Sequence, residues 1–125
     1  MSARMASTMP RVLVVDDDEL NLTTFERCFR RDLVVHVAAS GADAIAVLER
    51  GPIDVVLADY SMPEMDGLKF LGIVKSRWPN TGRLLVTAYL DMGPLDPELV
   101  HHVVTKPWDR EDILERVRAA RISSP

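Results

Sequence analysis

Five polar side chains stand where short apolar runs stop. Asp16 and Asp17 follow Val12-Leu13-Val14-Val15, Asp59 follows the run from Ile53 to Ala58, Thr87 closes Arg83 to Thr87, and Lys106 follows Val103 to Thr105. Carboxylates that share a crevice repel one another, and ionise together only beside a counter-charge. Lys106 offers one such charge. A hard divalent cation such as Mg2+ offers another, because it prefers oxygen ligands and often takes one or two carboxylates with phosphate and water. A carboxylate beside such a cation can attack phosphorus and form an aspartyl-phosphate. The transferring phosphoryl group needs neutralisation and in-line placement, and the Thr87 hydroxyl is able to donate to one of its oxygens. This chemistry requires residues far apart in the chain to meet at one rim.

The intervening sequence supplies elements that would bring them together. Val12 to Val15 is continuous and β-branched, the pattern of a strand buried on both faces. Leu22, Phe25 and Phe29 then share one face of a helix running to about Arg31, and Asp18 and Glu19 suit its positive end. Val34 to Ala38 reads as a second strand, and Ser40 caps a helix that Gly51-Pro52 stops. Ile53 to Ala58 is a third strand. Ser61 to Gly67 is rich in turn formers, with Asp66 as a turn or cap residue, and precedes a helix to about Trp78 whose inner face carries Leu68, Leu71, Val74 and Trp78. Arg83 to Thr87 and Val103 to Thr105 complete the strands, and Asp109 caps a last helix. Alternating strands and helices with continuous apolar strands predict an α/β fold, a doubly wound parallel sheet. The flavodoxin-like (βα)5 order 2-1-3-4-5 places a topological switch between the first and third strands, where ligands bind beyond the strands' carboxyl ends. Asp16, Asp17, Asp59, Thr87 and Lys106 all fall on that rim.

Composition bounds the rest. A chain of 125 residues with 47% hydrophobic and 27% charged residues is one domain, large enough to need no metal or disulfide staple. The single cysteine, Cys28, excludes an internal disulfide, fits a reducing cytoplasm, and reads as a buried helix residue. A net charge of −4 argues against direct nucleic-acid binding. No apolar run reaches the roughly 20 residues of a membrane span. Residues 1–9 read as a flexible tail without the apolar core of a signal peptide, 10–122 as the domain, and 123–125 as a C-terminal end or linker remnant. His101 and His102 are neighbours on opposite faces of an extended segment with no third ligand beside them, so they read as surface or partner-facing residues. His36 carries no motif.

At these positions the chain resembles the receiver domain of two-component response regulators. The resemblance rests on Val14-Val15-Asp16-Asp17, on Asp59 with Met62-Pro63 and Met65-Asp66-Gly67, on Thr87-Ala88 and on Lys106-Pro107, in that order. It implies that Asp59 accepts a phosphoryl group from a sensor histidine kinase or histidine phosphotransfer protein. It implies that Mg2+ is held by Asp16, Asp17 and Asp59 with the backbone carbonyl of Ser61. Thr87 would be the switch hydroxyl, Lys106 the phosphoryl-contacting lysine, and Lys106-Pro107 a cis peptide, a bond type almost confined to X-Pro. Ser61 and Tyr89 would border the approach of a hydrolytic water, and neither is suited to orient it, which implies slow loss of the phosphoryl group. Such a protein is a regulatory phosphoacceptor rather than an enzyme acting on a separate substrate. Its output is an unknown downstream protein or a missing output domain.

Two features depart from the family pattern. Val103 stands where an aromatic is usual, three residues before the lysine, and only residues 88–105 separate Thr87 from Lys106. A fourth helix in that interval is expected to be short or irregular, with Asp96-Pro97 as cap and first helical residue. Thr105-Lys106-Pro107-Trp108-Asp109 also looks like receivers attached to HD-GYP phosphodiesterases or sensor kinases, yet the sequence closes on Ser123-Ser124-Pro125, as a single-domain regulator or an excised fragment would. Two other functions compete: a binding module that keeps the fold without phosphorylation, and a small phosphatase of the haloacid dehalogenase type. The second has an Asp-x-Asp at Asp16-Asp17-Asp18 but lacks a further acidic motif after its lysine strand.

Overall fold

The computed structural model describes residues 9–88 and 93–122. Its strands are β1 (Arg11–Val15), β2 (Val34–Ala38), β3 (Val55–Asp59), β4 (Gly82–Thr87) and β5 (His102–Thr105). Its helices, among the described residues, are α1 (Glu19–Phe29), α2 (Gly41–Arg50), α3 (Gly67–Arg77) and α4 (Arg110–Ile122). All strand pairs are parallel and the sheet order is β2-β1-β3-β4-β5, the flavodoxin-like order expected. The sequence predicts a fourth helix between β4 and β5. In its place, the described residues hold a single turn at 97–99, closed by Leu99 and Val100 N–H groups donating to the Asp96 carbonyl. The short spacing permits no more.

Alternation along the strands divides the core into two layers. Val12, Val14, Val55, Leu57, Leu84, Val86 and Val104 face Leu22, Phe25 and Phe29 of α1 and Ile113, Leu114 and Val117 of α4. Leu13, Val15, Val56, Ala58 and Leu85 face Ala44 and Leu48 of α2 and Phe70, Leu71 and Val74 of α3. Each fully buried side chain of this size is worth about 1.5–3 kcal/mol. Leu71 and Val74 of the expected inner face are buried, but Phe70 shares that face with them and Leu68 and Trp78 at its margins are only half-buried. Cys28 is exposed, contrary to expectation: Phe25 and Phe29 take the inward positions of that turn and leave it outside.

Local polar chemistry sets the helix starts. Asp18 Oδ1 accepts from Leu20 N–H at 2.9 Å, Ser40 Oγ from Asp43 N–H at 3.1 Å, Asp66 Oδ1 from Lys69 N–H at 2.8 Å, and Asp109 Oδ2 from Asp112 N–H at 3.1 Å. Each satisfies a backbone donor that the first turn leaves without a partner. Gly67 has a further reason to be glycine. A Cβ there would lie 2.5 Å from the carbonyl oxygen of Asp59, so α3 can start this close to the end of β3 only without a side chain.

Candidate functional site

β1 and β3 are neighbours, so the residues at their carboxyl ends meet. Asp16 is 7% exposed and Asp59 8%, while Asp17 is exposed to solvent. One carboxylate oxygen from each of the three lies within 4.8 Å of the others. Lys106 reaches them because its N–H donates to the Thr87 carbonyl at 2.8 Å, continuing the pairing of β4 with β5. Its ammonium then stands 3.3 Å from Asp59 Oδ2 and 4.0 Å from Asp16 Oδ2. Thr87 is buried at the end of β4, opposite Thr105. The Lys106-Pro107 peptide is cis. Ser61 N–H donates to Asp59 Oδ1 at 3.4 Å, which ties the loop after β3 back to the carboxylate. Tyr89 lies outside the described residues, as do residues 1–8 and 123–125.

The electrostatics match this crowding. Burial, and after it the Asp16 carboxylate, raises the Asp59 carboxyl above its ordinary value of 3.8; the Lys106 charge and hydrogen bonds from Lys106 and Ser61 act the other way. Three carboxylates thus face one ammonium, and the formal deficit is what a divalent cation would fill. Oxygen donors in this number and at this spacing suit Mg2+.

Two neighbours of the site were not assigned to it from the sequence. Asn21, in the first turn of α1, donates from Nδ2 to Asp16 Oδ2 at 3.1 Å. Trp108 lines the same cavity, of about 480 Å3, with Asp16, Asn21, Phe25, Asp59 and Lys106. Its ring packs edge-on against Phe25 at 5.7 Å between centroids. The five-residue step from Asp16 to Asn21, across a helix start, was the clue available for the first. His101, expected at the surface, is half-buried instead, and its Nδ1 accepts from the Arg83 N–H at 3.0 Å.

A parallel sheet with an acidic, lysine-flanked rim at its switch point defines a class of regulatory signalling domain. The chain belongs to the response regulator receiver domain family, whose sequence profile matches residues 12–118. It is 30% identical over 120 residues to the hydrogenase transcriptional regulatory protein HoxA of Cupriavidus necator, covering 93% of this chain and 25% of that protein. It is 37% identical over 113 residues to the DNA-binding transcriptional regulator NtrC of Proteus hauseri, covering 87% and 24%. The chain therefore spans about a quarter of the length of these curated relatives. Among solved structures, the signal receiver domain of an HD domain-containing protein from Pseudomonas fluorescens superposes with a TM-score of 0.84 at 25% identity, covering 93% of this chain and 97% of that one.

Proposed function

We propose that Asp59 is the phosphoacceptor of a signalling switch, with residues 10–122 as the functional unit. The observation that carries this is the convergence of Lys106 Nζ, at 3.3 Å, on the most crowded carboxylate of a three-acid rim. An Asp59 oxygen forms a bond to phosphorus as the bond from phosphorus to the donor's imidazole nitrogen breaks, the donor being a phosphohistidine on a kinase or phosphotransfer protein. Asp16, Asp17, Asp59 and the Ser61 carbonyl would hold Mg2+, which supplies charge neutralisation on the phosphoryl oxygens when bound. Lys106 neutralises a further phosphoryl oxygen, and Thr87 donates to another once the group is in place. The consequence is altered contact with a downstream protein or an attached output domain; turnover of a separate substrate is not part of this role. Such donors work in the cytoplasm, and no described helix is long and apolar enough to cross a membrane. The net charge of −4 favours a protein partner over nucleic acid. Ser61 and Tyr89 would leave an attacking water poorly oriented, so the phosphorylated form decays slowly and Tyr89→Glu hastens its decay.

The test is incubation with acetyl phosphate and Mg2+ followed by intact mass. Wild type gains one phosphoryl group, and Asp59→Asn, nearly isosteric, gains none while keeping its fold. Unchanged wild-type mass under these conditions would favour a binding module that works without phosphate.

A further inference from the structure

Besides Thr87, the rim holds a side chain that is neither acid nor cation, Asn21, and its placement is specific. Asp16 Oδ1 accepts from the Asp18 N–H at 2.9 Å, and Asp16 Oδ2 accepts from Asn21 Nδ2 at 3.1 Å. Lys106 Nζ lies 4.0 Å from that same Oδ2, beyond hydrogen-bond reach, and 3.3 Å from Asp59 Oδ2. The Asn21 amide thus occupies the donor position on Asp16 that the lysine would otherwise take. Asn21 is itself anchored, because Asp18 Oδ1 accepts from its backbone N–H at 3.4 Å as it caps α1.

We infer that Asn21 is a positioning residue for this site: it orients the Asp16 carboxylate toward a divalent cation and leaves the Lys106 ammonium to Asp59. The inference rests on the reading of the rim as a cation and phosphoryl site. A neutral donor suits the task. An amide N–H fixes a carboxylate oxygen without cancelling its charge, and the carboxylate retains further lone pairs for a metal. A lysine or arginine in its place would fix the same oxygen and repel the cation. Without the Asn21 amide, Asp16 Oδ2 turns toward Lys106, and one ammonium is divided between two carboxylates. Partners that orient a ligating carboxylate typically contribute about 10- to 100-fold to metal affinity.

The experiment is calorimetric Mg2+ titration of wild type, Asn21→Ala and Leu20→Ala, with the unfolding midpoint of each measured in chelator. Leu20 is the control because it adjoins Asn21 and is 72% exposed. Asn21→Ala is expected to bind Mg2+ about tenfold more weakly, with a midpoint within roughly 2 °C of wild type and Leu20→Ala binding as wild type does. Mg2+ affinity of Asn21→Ala within twofold of wild type would overturn the inference. So would an equal loss in Leu20→Ala, or a loss matched by a collapse of the midpoint, since either marks a general effect on the helix start. Absence of Mg2+ binding by wild type would instead defeat the cation-site reading itself, and the inference with it.

Discussion

Charge is held out of water at both ends of the sheet, under opposite arrangements. At the carboxyl ends of β1 and β3, Asp16 and Asp59 are less than a tenth exposed, crowded by the exposed Asp17, with the Lys106 ammonium 3.3 Å from Asp59 and 4.0 Å from Asp16. At the amino end of β4, Arg83 is 3% exposed and has no acid beside it among its hydrogen-bond partners. Its Nε donates to the Leu99 carbonyl at 2.8 Å, Nη1 to those of Thr81 at 2.9 Å and Pro79 at 3.3 Å, and Nη2 to that of Glu98 at 2.8 Å. The rim is short of counter-charge, so an incoming cation or phosphoryl group finds a deficit to fill. Main-chain oxygens take four of the five guanidinium N–H groups. The effect of Arg83 is architectural: it ties the 98–99 turn to β4, in the interval where a helix has no room. A buried charge marks chemistry where its partners leave it unbalanced, and structure where they do not.

The largest expected effect falls on the structural end. Arg83→Met leaves four carbonyls without their donor, and each buried unsatisfied group costs about 1–3 kcal/mol. Chemical denaturation should show a loss of about 3 kcal/mol or more, while acetyl-phosphate labelling of the folded variant stays as in wild type. Lost labelling at unchanged stability would merge the two regions. Next in size, Asp17→Ala removes a cation ligand from the rim and should weaken Mg2+ binding at least about tenfold. In chelator it relieves repulsion, so its unfolding midpoint should equal or slightly exceed that of wild type. A lower midpoint there would mean that the acids are not in conflict.

The smallest effects are in pH, and they have opposite signs at the two ends. Burial, then Arg83 and His102, lowers the His101 imidazole below its ordinary 6.5, consistent with Nδ1 accepting from the Arg83 N–H. The stability this contributes is present above the unfolded value and lost as pH falls through the lower folded one. His101→Asn keeps an acceptor that does not titrate, so its midpoint should fall less than that of wild type between pH 7 and pH 5. The Asp59 carboxyl is shifted upward, so its contribution is fully present below 3.8 and lost as pH rises through the folded value. In chelator, Asp59→Asn should therefore unfold roughly 2–5 °C above wild type at pH 7, with the gap closing toward pH 4. Identical pH profiles for the two variants would erase the distinction between the regions.

The same contrast explains what the sequence could disclose. Asp16, Asp59 and Lys106 interrupt apolar runs at strand ends, so a β-branched pattern and a rule about switch points suffice to bring them together. The strand order follows from that alternation, and the short interval after Thr87 already excludes a full helix. Arg83 reads only as the first residue of a strand. Its partners are carbonyls of residues 79, 81, 98 and 99, and a main-chain oxygen leaves no mark in side-chain identity. His101 pairs with a backbone N–H and is hidden for the same reason. Asn21 was visible as a residue but not as a partner, because its reach to Asp16 depends on where Asp18 starts the helix.

The central claim is that Asp59, of the three rim carboxylates, carries the phosphoryl group. Borohydride reduction of the acetyl-phosphate-treated protein converts an aspartyl-phosphate to homoserine, and peptide sequencing by mass spectrometry then locates it. The account predicts homoserine at position 59, with Asp16 and Asp17 intact. Homoserine at 16 or 17, with Asp59 unmodified, would contradict it.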